Sequence, residues 1–180
     1  YRALWNNSDL DAWLNTEYSD NSEQPGASSD GNFVNGEKTR GVKLGEASRR
    51  LYQKIVVEAG KEYVFSIESR SEAQNVPSEV FMLNTEITSE TGLTSTSSEV
   101  DYYKMISNDY NPNKSSATEN NFTTTTFNFT ASTNTIVIYV RATAAVDSSN
   151  EVFYDNISLK EAATASVEDL FAENIKVYPN

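Results

Sequence analysis

The 180-residue sequence contains no cysteine and no histidine. Without cysteine there is no disulfide framework and no thiol chemistry. Without histidine the commonest general base and the commonest metal ligand are missing, and with them the Ser-His and Cys-His nucleophile pairs. Carboxylates, tyrosines and arginines remain available for chemistry. Basic residues are also scarce: 14 Lys and Arg stand against 26 Asp and Glu, a formal charge of −12. A chain of that charge makes a poor partner for nucleic acid. No apolar run approaches the length that crosses a membrane as a helix, and no signal-peptide pattern occurs in this stretch. A chain that opens at Tyr1 and closes on Pro179-Asn180 reads as a piece of a longer protein.

Threonine, tyrosine and phenylalanine are plentiful, and these residues favour strands. Ser, Asn and Thr crowd the stretches between them, as in an all-β protein with many loops. Residues 1–20 mix aromatics with acids and hold no helical period, and residues 19–36 read as a long loop. Period-two patterns then mark strands near 39–44, 50–57, 62–69, 79–87, 100–107, 121–130, 134–142 and 152–160. Leu51, Ile55 and Val57 share one face, with Tyr52 and Lys54 on the other; Tyr63, Phe65 and Ile67 share a face of the next strand. The Ala59-Gly60 dipeptide between these two strands predicts a hairpin. Eight or nine strands without a convincing helix predict a two-sheet β-sandwich of jelly-roll type spanning residues 1–160. Residues 161–180 begin with the small-residue linker EAATAS and read as a tail outside the sandwich.

Charge is unevenly spread. Between Glu37 and Lys54 lie six basic residues (Lys38, Arg40, Lys43, Arg49, Arg50, Lys54) and two acidic ones. Such a patch on an acidic chain attracts anions at short range. It serves equally to keep an edge strand from pairing with another chain.

The segments LYQKIVVEAGKEYVFSIESRSE (51–72) and EVFYDNISLKE (151–161) carry a strand with Gln53, a turn Gly60-x-x-Tyr63, a strand ending in Arg70, and a final Asp155-Asn156-Ile157-Ser158-Leu159. This set resembles the galactose-binding-domain-like jelly-roll carbohydrate-binding modules, the group with families 4, 9, 16 and 22. The family's N-terminal Asn-Gly-Asp-Phe-Glu is echoed by Asn7-Ser8-Asp9-Leu10-Asp11 and the later Trp by Trp13, with Ser8, Leu10 and Asp11 as departures. The stretches EVFMLNTEI (79–87) and IVIYVRATAAVD (136–147) are similar to modules attached to alginate lyases of marine Bacteroidetes. SVEDLFAENIKVYPN (166–180) resembles the start of a type IX secretion sorting domain of Bacteroidetes, which implies a secreted or cell-surface parent.

The resemblance implies a structural Ca²⁺ held by Asp155, Asp11 and the carbonyl of Lys43, with Asn7 or Asp9 nearby. Calcium takes six to eight oxygen ligands and suits such a set. The plainer alternative is that Asp155 accepts a hydrogen bond from a loop amide. The resemblance also implies a glycan ligand: xylan, β-glucan, mannan or an algal polymer. Exposed aromatics stack on sugars, and Arg grips carboxylate or sulfate through its planar fork. Tyr102 and Tyr103 point to opposite faces of one strand. Tyr139 and Arg141 share a face, as do Glu68 and Arg70, and Tyr52 and Lys54. A sheet face lined by Arg70, Arg141, Lys54 and a tyrosine would suit an anionic polysaccharide, alginate first, with Tyr52, Tyr102, Tyr103 and Tyr139 as the candidate tyrosines; for any one of them, a core place with its hydroxyl at the rim competes.

Three classes of function follow. The first is a non-catalytic, monomeric module that holds an attached catalytic domain near its polymer, whether alginate, carrageenan, ulvan or a neutral glucan. The second is a jelly-roll polysaccharide lyase using Tyr and Arg; no placed carboxylate pair of the kind a glycosidase needs stands out. The third is a structural or adhesive sandwich. The first is the expectation, with no enzyme activity in this chain.

Overall fold

The structure, a computed structural model, describes residues 26–28, 31–34, 37–39, 41–45, 49–110, 122–143 and 146–163. The N-terminal Asn7, Asp9 and Asp11 and the tail beyond residue 163 lie outside the described residues. Among the described residues there are twelve strands and no helix.

The first four strands are short: β1 (Gly26–Ser28), β2 (Phe33–Val34), β3 (Glu37–Lys38) and β4 (Gly41–Leu44). They are followed by β5 (Leu51–Val56), β6 (Glu62–Ser71), β7 (Ser78–Leu83), β8 (Val100–Ile106) and the two-residue β9 (Asp109–Tyr110). The chain ends its described part with β10 (Thr123–Thr130), β11 (Thr135–Ala142) and β12 (Val152–Glu161). One sheet runs β1-β4-β12-β6-β10, with β9 added in parallel to the end of β6; a second runs β5-β11-β7-β8; β2 and β3 form a small ribbon. Counted as eight main strands in chain order (β4, β5, β6, β7, β8, β10, β11, β12), the first, eighth, third and sixth make one sheet. The second, seventh, fourth and fifth make the other. That interleaving is the jelly roll.

The core lies between the sheets. Tyr63, Phe65 and Ile67 of β6, Phe127 and Phe129 of β10, and Val152 and Tyr154 of β12 meet Leu51, Val80, Met82, Ile136, Ile138 and Val140 from the other side. Each such large apolar side chain contributes roughly 1.5–3 kcal/mol relative to staying exposed. Tyr154 buries its hydroxyl against that of Ser78, 2.5 Å away. Burial raises its pKa; the Ser78 bond opposes the shift without cancelling it.

The expected hairpin at Ala59-Gly60 is corrected in one respect. The turn is present, with Gly60 at φ +82° and its N–H donating to Ala131 O at 2.7 Å. The strands it joins do not pair. β5 pairs with β11, and β6 with β10 and β12, so the turn is an arch from one sheet to the other. Alternation fixes which residues share a face but not which strand lies alongside. Here the apolar faces of β5 and β6 look at each other across the core.

β12 answers why Asp155 stands inside a strand. Before it, Val152 and Tyr154 face the core; after it, Ile157 and Leu159 do. The parity changes because of a bulge: Asp155 opposes Glu68 and Ser158 opposes Ser66, so Asn156 and Ile157 of β12 stand against Ile67 alone. Asn156 takes up the extra residue at φ +45°, a left-handed conformation that Asn tolerates better than most.

Candidate functional site

The outer face of the four-stranded sheet is ordered by register. A row of aromatics crosses all four strands: Tyr52 on β5, Tyr139 on β11, Phe81 on β7 and Tyr103 on β8. Phe81 lies 4.9 Å from Tyr103 and 6.0 Å from Tyr139 between ring centroids, both tilted. The next row toward the end of the sheet is Arg141, Glu79 and Met105. The row on the other side holds Lys54, Val137 and Leu83.

Five of the seven residues expected to bind sugar therefore share this face: Tyr52, Lys54, Tyr103, Tyr139 and Arg141. The other two lie elsewhere. Tyr102 points into the sandwich, its ring stacked on Phe127 at 4.4 Å. Arg70 is on the outer face of the other sheet, fully buried, with its guanidinium 4.0 Å from the Phe153 ring centroid and 5.5 Å from that of Phe122. Arg70 and Arg141 thus do not line one surface, because their strands belong to different sheets.

Residues 84–99, the connection from β7 to β8, fold back as a roof over part of the face. Ile87 and Leu93 join Tyr52, Phe81, Leu83, Val137 and Tyr139 in a second apolar cluster, which leaves Tyr52 and Tyr139 without exposure. Glu90 anchors the roof. Its carboxylate accepts from Arg50 Nε at 2.9 Å and Arg50 Nη2 at 2.5 Å, from Arg141 Nη1 at 3.2 Å, and from the Tyr139 hydroxyl. Burial pushes the Glu90 carboxyl up, but the bonds from Arg50 and Tyr139, the Arg50 charge and the Arg141 bond outweigh it and hold the pKa at about 2. Lys54 forms an ion pair with Glu86 of the roof.

At the open end, Arg141 Nε donates to Glu79 Oε2 at 2.6 Å and the Tyr103 hydroxyl donates to Glu79 Oε1 at 2.9 Å. Burial and the Glu79 bond both raise the Tyr103 pKa. Met105 is 51% exposed beside them. Glu79, Phe81, Glu90 and Met105 were not among the residues expected on this face, and Arg50 was named only as part of the basic stretch. The parity of Glu79, Phe81 and Leu83 on one strand was a usable signal. Glu90 had none, sitting in a polar stretch and meeting its partners only through the fold.

The basic stretch between Glu37 and Lys54 finds acidic partners from distant segments: Lys43 with Glu151 at 2.7 Å, Arg50 with Glu90, and Lys54 with Glu86.

Asp155 sits on the other sheet's outer face. Its Oδ2 accepts from Asn32 N at 2.7 Å and from the Thr39 hydroxyl, and its Oδ1 accepts from Asn156 N at 2.8 Å. Glu68, its cross-strand neighbour, accepts from Asn32 Nδ2 at 2.5 Å and Asn156 Nδ2 at 2.8 Å. A Cβ at Gly31 would stand 2.5 Å from Asp155 Oδ2, so glycine permits the loop to close on the carboxylate. Lys43 opposes Phe153, two residues along from Asp155, and the residues that meet the carboxylate are Asn32, Thr39 and Asn156. The oxygens gathered here, from Asp155, Glu68 and Thr39, are of the kind a hard cation takes. Among the described residues no group of three acidic side chains is placed to hold a metal.

No family model and no curated protein matches this chain. Solved structures do. A CBM4 structure is similar at 12% identity over 68% of this chain and 70% of the other, with a TM-score of 0.46. The CBM22-1–GH10 modules of the Clostridium thermocellum endo-1,4-β-D-xylanase 10B, complexed with xylohexaose, are similar at 15% identity over 79% of this chain and 25% of that one, with a TM-score of 0.47. A family 16 carbohydrate-binding module is similar at 14% identity over 76% of this chain and 85% of the other, with a TM-score of 0.45.

Proposed function

We propose that this domain is a non-catalytic carbohydrate-binding module whose site is the open end of the four-stranded sheet's outer face. The observation that carries the reading is the Arg141–Glu79–Tyr103 group beside exposed Met105. It offers fixed donors and an acceptor for sugar hydroxyls, an aromatic edge and an apolar contact within one patch. The sequence motifs of residues 51–72 and 151–161 support the same class. Catalysis finds less support. Tyr139, the tyrosine nearest the arginines, is buried and donates its proton to Glu90, so it is poorly set to act as a base on a polymer. Glu90, held ionised, is poorly set to act as an acid.

The ligand remains an acidic or neutral polysaccharide. Alginate is the first polymer to test, on the sequence resemblance. The ion pairs of Lys54, Arg50 and Arg141 with Glu86, Glu90 and Glu79 balance the face, which favours a neutral glucan as the second. Retardation in gels containing alginate or β-glucan, with no new absorbance from unsaturated ends and no released reducing sugar, is the expected result. Turnover would replace the reading with a lyase or hydrolase, and no retardation by any polymer with a structural domain.

We further propose that a Ca²⁺ ion bridges the N-terminal acidic motif and the Asp155–Glu68 pair, and that the module is a monomer in a chain exported by type IX secretion and attached to a polysaccharide-degrading domain. The paired carboxylates support the first part and the VYPN ending the last.

A further inference from the structure

The roof divides the candidate face into a closed and an open part. Within the aromatic row Tyr52, Phe81 and Tyr139 have no exposure, and behind it neither do Leu83 and Val137. In front of it lie Met105 on β8, an edge strand, then Glu79 on β7 and Arg141 on β11. Three strands and two positions along each make a platform roughly 10 Å by 7 Å from ordinary strand spacings. The platform is open over Met105 and closed at its far side. There Arg141 is held by Glu90 Oε2 at 3.2 Å and by the Leu93 carbonyl at 3.4 Å, and Arg50, buried against Glu90, stands behind. A sugar chain entering from the β8 edge meets the roof at Arg141, before it can leave the sheet on the other side.

We infer that this face takes chain ends or short oligosaccharides rather than the interior of a polymer, and that Glu90, by anchoring the roof, is the positioning residue that sets the length. The inference rests on the carbohydrate-binding reading and adds to it the form of the ligand.

The test is calorimetric titration of the protein with β-1,3-gluco-oligosaccharides and mannuronate oligosaccharides of two to six residues. The expected affinity is the same within about threefold across the series that binds. A rise of about tenfold or more from two to six residues overturns the inference while leaving the carbohydrate-binding reading in place. No binding of any oligosaccharide, together with no retardation by the parent polymers, overturns both. Glu90→Ala frees the roof and is expected to make affinity grow with length; Glu90→Gln serves if the alanine variant does not fold. A folded variant that keeps the flat length profile overturns the role given to Glu90.

Discussion

Asn156 shows how one residue re-aims a strand. By accepting φ +45° it lets β12 present Val152 and Tyr154 to the core before the bulge and Ile157 and Leu159 after it. A β-branched residue there is strained, so Asn156→Val is expected to cost on the order of 1–3 kcal/mol and lower the melting temperature. Asn156→Gly, free at positive φ, is expected to cost less; equal losses for both would show that the amide bond to Glu68, not the backbone, matters most. Arg70 gives a second residue-scale outcome. Buried against Phe153 and far from the candidate face, Arg70→Ala is expected to lose on the order of 2 kcal/mol in thermal unfolding and to leave glycan affinity unchanged. Lost affinity in a folded Arg70→Ala protein would move the site to the other sheet. At this scale the sequence was informative about parity: Tyr52, Lys54, Tyr139 and Arg141 sit on the face their alternation implies. It was silent on which sheet each strand joins, and so it grouped Arg70 with Arg141.

At the scale of elements, the β5–β6 arch and the roof both depend on contacts between segments distant in sequence. Strand positions were legible because alternation is local. The arch was not, since a reversal at Gly60 fits a hairpin or a crossing between sheets equally well. The roof was not legible either, since Ser, Thr and Glu dominate 88–99 and only Ile87 and Leu93 hint at burial. Glu90 makes the roof's attachment pH-dependent. Its folded pKa, about 2, lies below the ordinary 4.5, so the stabilisation is complete above about pH 4.5 and is lost as pH falls toward 2. Hydrogen exchange of the Leu93 amide, which donates to Glu90 O at 2.9 Å, is expected to lose protection on acidification across that window in the parent protein and much less in Glu90→Gln. Equal acid sensitivity in the two would assign the effect to other carboxylates.

For the molecule as a whole, two sheets enclose one core without a disulfide, and β12 of the larger sheet is tied through Asp155 to Asn32 and Thr39, which flank the β2–β3 ribbon. Removing that carboxylate by Asp155→Ala takes away the bond from the Asn32 amide and leaves the Thr39 hydroxyl only the Asn32 carbonyl at 2.8 Å, and is expected to cost on the order of 2 kcal/mol. If calcium bridges this site, a chelator lowers the melting temperature of the parent protein and leaves Asp155→Ala unaffected; an unchanged melt on chelation removes the metal and keeps the hydrogen bonds. The central claim is that the open end of the four-stranded sheet binds glycan without transforming it. The most direct measurement is titration of the parent and of Tyr103→Ala with alginate and β-glucan oligosaccharides, followed by analysis of the recovered sugars. The account expects binding by the parent, affinity lowered about tenfold or more in Tyr103→Ala with the fold retained, and sugars recovered intact. Equal affinity in the two proteins, or shortened sugars, would contradict it.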